Sequence, residues 1–448
     1  MNLVRALPRF REAYQALQTL AAREQWSRDE IEAFQLERLN ALWEHAARNV
    51  TYYRQLGATL RLPQRFSSLE QFRQSVPILR KSTVRANRDR FLSTARTRGR
   101  WVLTGGSTGV PTRVFWGHDA QREMLRARYR FYASWDVDIF DRVAFLWGHH
   151  ASFAPGLAGL AARLRQPLED LLRHRIRLSA YRLGRADLRN HLERIHAFRP
   201  AAIYSFAKAA HLLAHEAEAM NFRCESLKLV ILTAEPASPQ LVADVRRAFH
   251  TPAIIEYGSA ECGFLAGQAP DGTLRLREDI ALIETLPRND GRYDIVVTVF
   301  TNPSFPLLRY SIGDVTAAPL ERRPCGFSVL QSVVGRNNDF VLSKSGRHLH
   351  ASLFAAIFEN QPNIRRYQLY QHADGALTVS VERHNRDACL NEERLKRTLE
   401  HVLDGAEVTL RVVDKIPQTG AGKHRWIISE LANCAECPRE VDQIPCHV

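Results

Sequence analysis

Five short clusters in this 448-residue chain hold residue types that can do chemistry. In Thr104-Gly105-Gly106-Ser107-Thr108-Gly109, three glycines let backbone amides approach a phosphate and three hydroxyls add donors. The cluster lacks the Lys-Ser/Thr ending of a P-loop, and the same residues suit an ordinary flexible turn. Glu256-Tyr257-Gly258-Ser259-Ala260-Glu261 offers an aromatic face and a carboxylate suited to Mg²⁺; a polar loop at a sheet edge would look the same. Arg309-Tyr310-Ser311-Ile312-Gly313-Asp314 sets an Asp on a tight turn, where it can accept two hydrogen bonds from a ribose diol or only shape the turn. Gly335-Arg336-Asn337-Asn338-Asp339 reads as a hinge or a loop. Thr419-Gly420-Ala421-Gly422-Lys423 carries a lysine, a compact point charge on a flexible stem, able to meet a phosphate transiently or to sit in solvent.

The elements that must position these clusters are legible around them. Ser27-Arg28-Asp29-Glu30 fits a capping box, and Leu36, Leu39, Trp43 and Ala46 follow at helical spacing, so residues 1–100 read as mostly helical. Ala86–Arg100 is polar and basic and reads as an exposed connection. Trp101-Val102-Leu103 is a short strand running into the Gly-rich turn. Gly184–Phe198 is helical and stops before Pro200. Leu227–Thr233 is a buried strand, Ser238 and Pro239 cap a helix that ends before Pro252, and Ala253–Tyr257 is the next strand. Strand, helix, strand within about thirty residues implies a crossover unit and a largely parallel sheet. Asp294–Phe300 and Phe327–Val334 read as further strands, and Asn391–Leu403 as a helix. A boundary is expected near Gly335–Asp339, dividing a large domain (1–335) from a small one (336–448).

Composition bounds the possibilities. Hydrophobic residues at 45% and charged residues at 25% exclude wholesale disorder. The formal charge is +14, yet only seven of the 62 basic residues are lysines. A basic total permits nucleic acid, an anionic membrane or an acidic substrate without choosing among them. Seven scattered cysteines argue for a reducing compartment, and the cytoplasm is the expected location. The N-terminus shows no apolar signal-peptide region. The longest stretch free of Asp, Glu, Lys and Arg is Val143–Ala162, and its histidines, proline and glycines do not suit a spanning helix.

The order and spacing of Thr104–Gly109, Ala234-Glu235-Pro236, Tyr257–Glu261, Tyr310–Asp314, Gly335–Asp339 and Gly420–Lys423 resemble the core motifs of adenylate-forming enzymes. More narrowly, the chain resembles the phenylacetate–CoA ligase group. Ser345–His350 and Tyr367–Gln371 look closest to its CapK-like branch. The resemblance implies a mixed α/β fold: a large N-terminal domain with parallel-rich sheets and helices, and a small α+β C-terminal domain. It implies an ATP-dependent ligase that activates an aryl or other small organic acid as acyl-AMP and passes it to a thiol, CoA first; the alternatives are transfer to an acyl carrier protein, an amine or a hydroxyl in polysaccharide or natural-product assembly, and a non-catalytic binding protein that keeps the fold. By the same likeness Thr104, Gly105, Gly106, Ser107, Thr108 and Gly109 hold the ATP phosphates. Ala234, Glu235, Pro236, Tyr257, Gly258 and Ser259 face the adenine side. Glu261 binds Mg²⁺, Asp314 the ribose, and Arg336 the ribose–phosphate side. Asn338 is the hinge, and Lys423 bridges carboxylate and α-phosphate. Trp147–His150 and Tyr204–Phe206 fall where relatives place substrate-side residues, so His149, His150, Tyr204 and Ser205 are candidates for the acyl pocket, with a core aromatic cluster as the alternative. No nucleic-acid partner is expected on this reading, and a homodimer is left open.

Several positions depart from the family pattern. Val110 stands where the family usually has lysine, and Asn338 where it has aspartate. Some relatives hold a structural zinc through Cys and His. Here Cys325 is left with Arg323, Gly267 and Arg275 at the other positions, and one thiolate cannot build a four-coordinate site, so no structural zinc is expected. Cys262 reads as a buried small residue. Cys434, Cys437, Cys446 and His447 form a terminal set of soft ligands or a frayed tail.

Overall fold

The computed structural model describes residues 22–103, 112–148, 170, 174–180, 183–235, 237–289, 291–331, 333, 340–350, 353–354, 357–358, 361, 363–383, 390–416 and 427–431. Its N-terminal part is helical: α1 (Arg28–Asn49), α2 (Thr51–Leu60), α3 (Leu69–Ser75) and α4 (Lys81–Ala86). The expected capping box is present, with the Ser27 hydroxyl accepting from the Glu30 amide and the Glu30 carboxylate accepting from the Ser27 amide. The stretch between residues 86 and 100 is exposed in part only. Phe91 and Ser93 are buried, and Phe91 stacks on Tyr52. The hairpin β1 (Gly99–Leu103) and β2 (Arg113–Gly117) flanks the Gly-rich cluster, which lies outside the described residues, as does Val110.

The central sheet has seven strands in the order β4-β3-β5-β6-β7-β8-β9: β3 (Val143–Trp147), β4 (Arg175–Ser179), β5 (Ala202–Phe206), β6 (Leu229–Thr233), β7 (Ala253–Ser259), β8 (Gly263–Gln268) and β9 (Leu274–Leu276). The first five are parallel and the last two antiparallel. Helices α6 (Arg185–Phe198), α7 (Ala207–Ala219) and α8 (Pro239–Phe249) cover one face, where Ile203, Leu213, Leu232, Val245 and Ala253 share one buried cluster. Helix α5 (His118–Ala133) covers the other face and joins the main core with Ala202, Ile231 and Ile254. The crossover inferred from Leu227–Tyr257 is therefore present, with Ser238 accepting from the Leu241 amide at the cap.

A second sheet, β10 (Ala281–Pro287), β11 (Tyr293–Val299) and β12 (Tyr310–Thr316), is fully antiparallel. Among its described residues, the expected strand over Phe327–Val334 does not form a ladder. Val329 makes isolated bridges to Arg275 of β9 and to Glu321, flanked by hydrogen bonds from the Leu330 amide to the Leu274 carbonyl and from the Leu276 amide to the Ser328 carbonyl, and Phe327 and Leu330 are buried. Beyond residue 340 come the short hairpin β13 (Phe340–Leu342) and β14 (His348–His350), and then a four-stranded sheet in the order β17-β16-β15-β18. Its strands are β15 (Ile364–Gln371), β16 (Leu377–Arg383), β17 (Val408–Val413) and β18 (Ile427–Ser429). Helix α9 (Glu392–Val402), capped by Asn391, packs Leu395 and Leu399 on it. Among the described residues, the third core cluster draws on residues 341–427 alone.

Candidate active site

In a parallel sheet, ligand-binding groups gather beyond the carboxyl ends of the strands, where loops face an open crevice. Strands β6 and β7 are neighbours in register, Thr233 beside Glu256. Their ends place Ala234 and Glu235 next to Tyr257. Ala234 has φ +65°, a left-handed conformation that costs a residue with a Cβ about 1–2 kcal/mol. Glu235 accepts from the Lys208 amide at 2.9 Å, which ties this turn to the start of α7. Pro236 lies outside the described residues.

The turn after β7 is shaped by close backbone approach. A Cβ at Gly258 would lie 2.1 Å from the Gly263 carbonyl oxygen, so only glycine fits. The Ser259 hydroxyl accepts from the Cys262 amide at 3.0 Å, and the Trp116 indole donates to the Ala260 carbonyl at 3.0 Å. Cys262 is buried as expected, and burial pushes its thiol well above the ordinary range.

Two hydrogen bonds join this turn to the second sheet. The Tyr257 hydroxyl donates to Asp314 Oδ2 at 3.2 Å, and the Tyr310 hydroxyl donates to Glu261 Oε1 at 3.2 Å. Burial first, and then the Glu261 charge, hold the Tyr310 phenol far above its usual range, so it stays a donor. Motifs about fifty residues apart in sequence thus meet at one place.

A residue that sequence reasoning missed completes the cluster. Lys81 Nζ lies 3.0 Å from Glu261 Oε1, with side-chain exposures of 16% and 3%. Lys81 gets there because Leu79 pairs with Tyr310 in a parallel bridge: Leu79 N–H donates to the Arg309 carbonyl and Ser311 N–H to the Leu79 carbonyl, both at 2.9 Å. Arg309 locks the arrangement. Its guanidinium donates to the carbonyls of Arg73 and Val76 at the end of α3 and pairs with Glu284 at 3.0 Å.

The substrate-side candidates divide. Tyr204 donates to Glu256 at 2.8 Å, and the fully buried Ser205 hydroxyl donates to the Phe206 carbonyl at 2.9 Å, so both polar groups are engaged inside the fold. Tyr204 also lines a cavity of about 40 Å³ with Arg128, Tyr129, Tyr132 and Phe145, room for a water or two rather than a nucleotide. His149, His150, Arg336, Asn338, Lys423 and the Cys434–His447 cluster lie outside the described residues. Among the zinc-related positions, Arg275 pairs with Asp271. The Cβ direction of Gly267 runs into the Phe131 ring at 2.3 Å.

The donor set at Glu261 fits Mg²⁺ of one kind. Among the described residues no group of three or more His, Cys, Asp or Glu side chains is gathered for a metal, so no protein cage exists there. A hard cation held by a single carboxylate and by substrate phosphates is the compatible arrangement. Among the described residues no helix is long and apolar enough to cross a membrane.

Comparison with solved structures defines the class first. A 2-hydroxyisobutyryl-CoA ligase solved with 2-HIB-AMP and CoA in the thioesterification state superposes with a TM-score of 0.62, at 19% identity over 91% of each chain. The same ligase in an open conformation with 2-HIB-AMP and CoA gives 0.58, at 18% identity over 91% of this chain and 93% of that one. The fold is that of the adenylate-forming ligases. Sequence likeness then narrows the branch: residues 341–430 match the CapK C-terminal domain. Protein CapK of Staphylococcus aureus is 23% identical over 408 residues, 89% of each chain. The expected fold and the CapK-like resemblance are both borne out.

Proposed function

We propose that the chain is an ATP-dependent ligase that activates a carboxylic acid as acyl-AMP and transfers the acyl group to a thiol, CoA first. The observation that carries this is the meeting of Tyr257 with Asp314 and of Glu261 with Tyr310 at the carboxyl ends of β6 and β7. These are the positions the family likeness assigns to adenine, ribose and Mg²⁺. Attack of a carboxylate on the α-phosphate joins two anions, so the site must neutralise charge as it develops. When bound, Mg²⁺ would supply electrostatic stabilisation of the phosphates, held by Glu261. Tyr257 would flank the base, Asp314 would accept from the ribose hydroxyls, and the strained Ala234 turn with Glu235 and Pro236 would line the adenine. The Thr104–Gly109 amides and Arg336 would hold phosphates, and Lys423 would bring an ammonium to the reacting pair. His149 and His150 would face the acid. The chain divides near Gly335, with a mobile small domain; the self-contained core of residues 341–427 supports this. The scattered cysteines support a cytoplasmic setting.

The test is ATP–pyrophosphate exchange across a panel of small acids. Exchange with one or more acids is expected, reduced roughly 100–1000-fold in Lys423→Ala. Exchange with none across a broad panel points instead to a binding protein that has lost the chemistry. The CapK-like match over residues 341–430 favours a second reading of the acceptor, a carrier-protein thiol, an amine or a hydroxyl in place of CoA. Offering the acyl-adenylate to CoA and to a carrier protein separates the two.

A further inference from the structure

We propose that Lys81 is the resident counter-ion of Glu261, and that a divalent cation reaches this carboxylate only together with nucleotide phosphates, displacing the lysine. The inference rests on the adenylating reading above. A carboxylate as buried as Glu261 needs a compensating charge in every state of the protein. Lys81 supplies it here, and Tyr310 donates to the same oxygen, so Oε1 holds two donors.

A metal ion arriving alone would meet the Lys81 ammonium across a short distance, and like charges repel strongly where solvent is scarce. It would also find too few oxygens, since no group of three ligating side chains is gathered among the described residues. Phosphates remove both obstacles: they bring oxygens that complete the cation's shell and anionic partners for the released ammonium. Lys81 is built to let go. Its backbone is pinned by the Leu79–Tyr310 pairing and by Arg309, while its side chain is a flexible stem ending in a single point charge. Among the described residues, Asp314 and Arg85 also carry charge that acts on Cys262 and Tyr310 beside this carboxylate.

The experiment measures Mn²⁺ binding to the full chain from the loss of the free-ion electron paramagnetic resonance signal, with and without α,β-methylene-ATP. The variants are Lys81→Met, Lys81→Arg and Glu261→Gln. Wild type and Lys81→Arg should bind Mn²⁺ alone weakly and gain affinity with the analogue. Lys81→Met should bind Mn²⁺ alone at least about tenfold more tightly than wild type, and adding Glu261→Gln should abolish that gain. Equal affinity of wild type and Lys81→Met for Mn²⁺ alone overturns the proposal. So does wild-type affinity that is the same with and without the analogue, a measurement that does not depend on the variant folding. Pyrophosphate exchange by the wild type reports on the adenylating reading separately, so either idea can fail without the other.

Discussion

Glu256 and Glu261 lie five positions apart on one strand and its turn, both are nearly inaccessible to solvent, at 3% and 4%, and they are held in different ways. Glu256 is saturated. Arg128 reaches both its oxygens, at 3.1 and 2.9 Å, Tyr204 donates to Oε1 at 2.8 Å, and Tyr132 donates to Oε2. Burial works against the Arg128 charge, but the Glu256 carboxylate outweighs it, and the guanidinium stays firmly protonated. Burial, and then the same carboxylate, hold the Tyr132 and Tyr204 phenols far above their usual range. Among the described partners, Glu261 has two donors, both on Oε1, and its cation is a lysine. A rigid fork filling both oxygens makes a strut between α5, β5 and β7; a point charge on one oxygen makes an exchangeable contact. The difference teaches that burial alone does not fix how a carboxylate is held. What separates the two is the counter-ion, a guanidinium on both oxygens of Glu256 and a single ammonium on one oxygen of Glu261.

The largest expected effect tests the strut. Glu256→Gln strands the Arg128 guanidinium without its counter-charge, which should cost about 3–5 kcal/mol of folding stability. A urea unfolding curve measures this directly. A loss below about 1 kcal/mol would break the comparison, because Glu256 would then not be the anchor its four donors imply. Glu261→Gln should behave the other way round. Lys81 is partly exposed and can turn toward water, so the unfolding midpoint should move little. Pyrophosphate exchange, however, should fall by roughly 100–1000-fold, the loss typical for removing one preorganised electrostatic contact. Measuring both quantities on both variants sharpens the contrast. Stability and activity should dissociate at Glu261 and fall together at Glu256.

How much of this was legible in the sequence follows from how local each signal is. The β6–α8–β7 unit was readable because a continuous apolar run, a Ser-Pro cap and a bounding proline all act within a few residues. Phe327–Val334 has similar apolar content, yet its described residues meet β9 and Glu321 only through single bridges at Val329 and the hydrogen bonds around them, so tertiary context overrides its propensity. The Tyr257–Glu261 and Tyr310–Asp314 motifs were readable as clusters, and the structure supplies the hydrogen bonds between them, which no local pattern encodes. Lys81 was illegible because its role is set 180 residues away and through a single bridge from Leu79 to Tyr310. One cue existed. In a chain with 55 arginines and seven lysines, a lysine at the head of a helix following Pro77 and Leu79 is compositionally unusual. Glu256 was read as the first letter of a motif, while its partners at positions 128, 132 and 204 come from another helix and another strand.

The smallest effect comes from removing one phenol from each carboxylate. Tyr132→Phe leaves Glu256 with the Arg128 fork and Tyr204, three donors over two oxygens, so the charge stays compensated. Tyr310→Phe leaves Glu261 with Lys81 alone among the described donors. Each change deletes one hydrogen bond to a carboxylate, worth about 1.5–3 kcal/mol before relaxation. The saturated site can redistribute its remaining donors, so Tyr132→Phe should fall at or below the bottom of that range. At Glu261 the remaining partner is a single ammonium on a flexible stem, so Tyr310→Phe should cost more, by about 1 kcal/mol, as read from urea midpoints measured side by side. Equal costs would mean that the number of donors, rather than their exchangeability, governs both carboxylates, and the distinction between strut and exchangeable contact would lose its energetic basis.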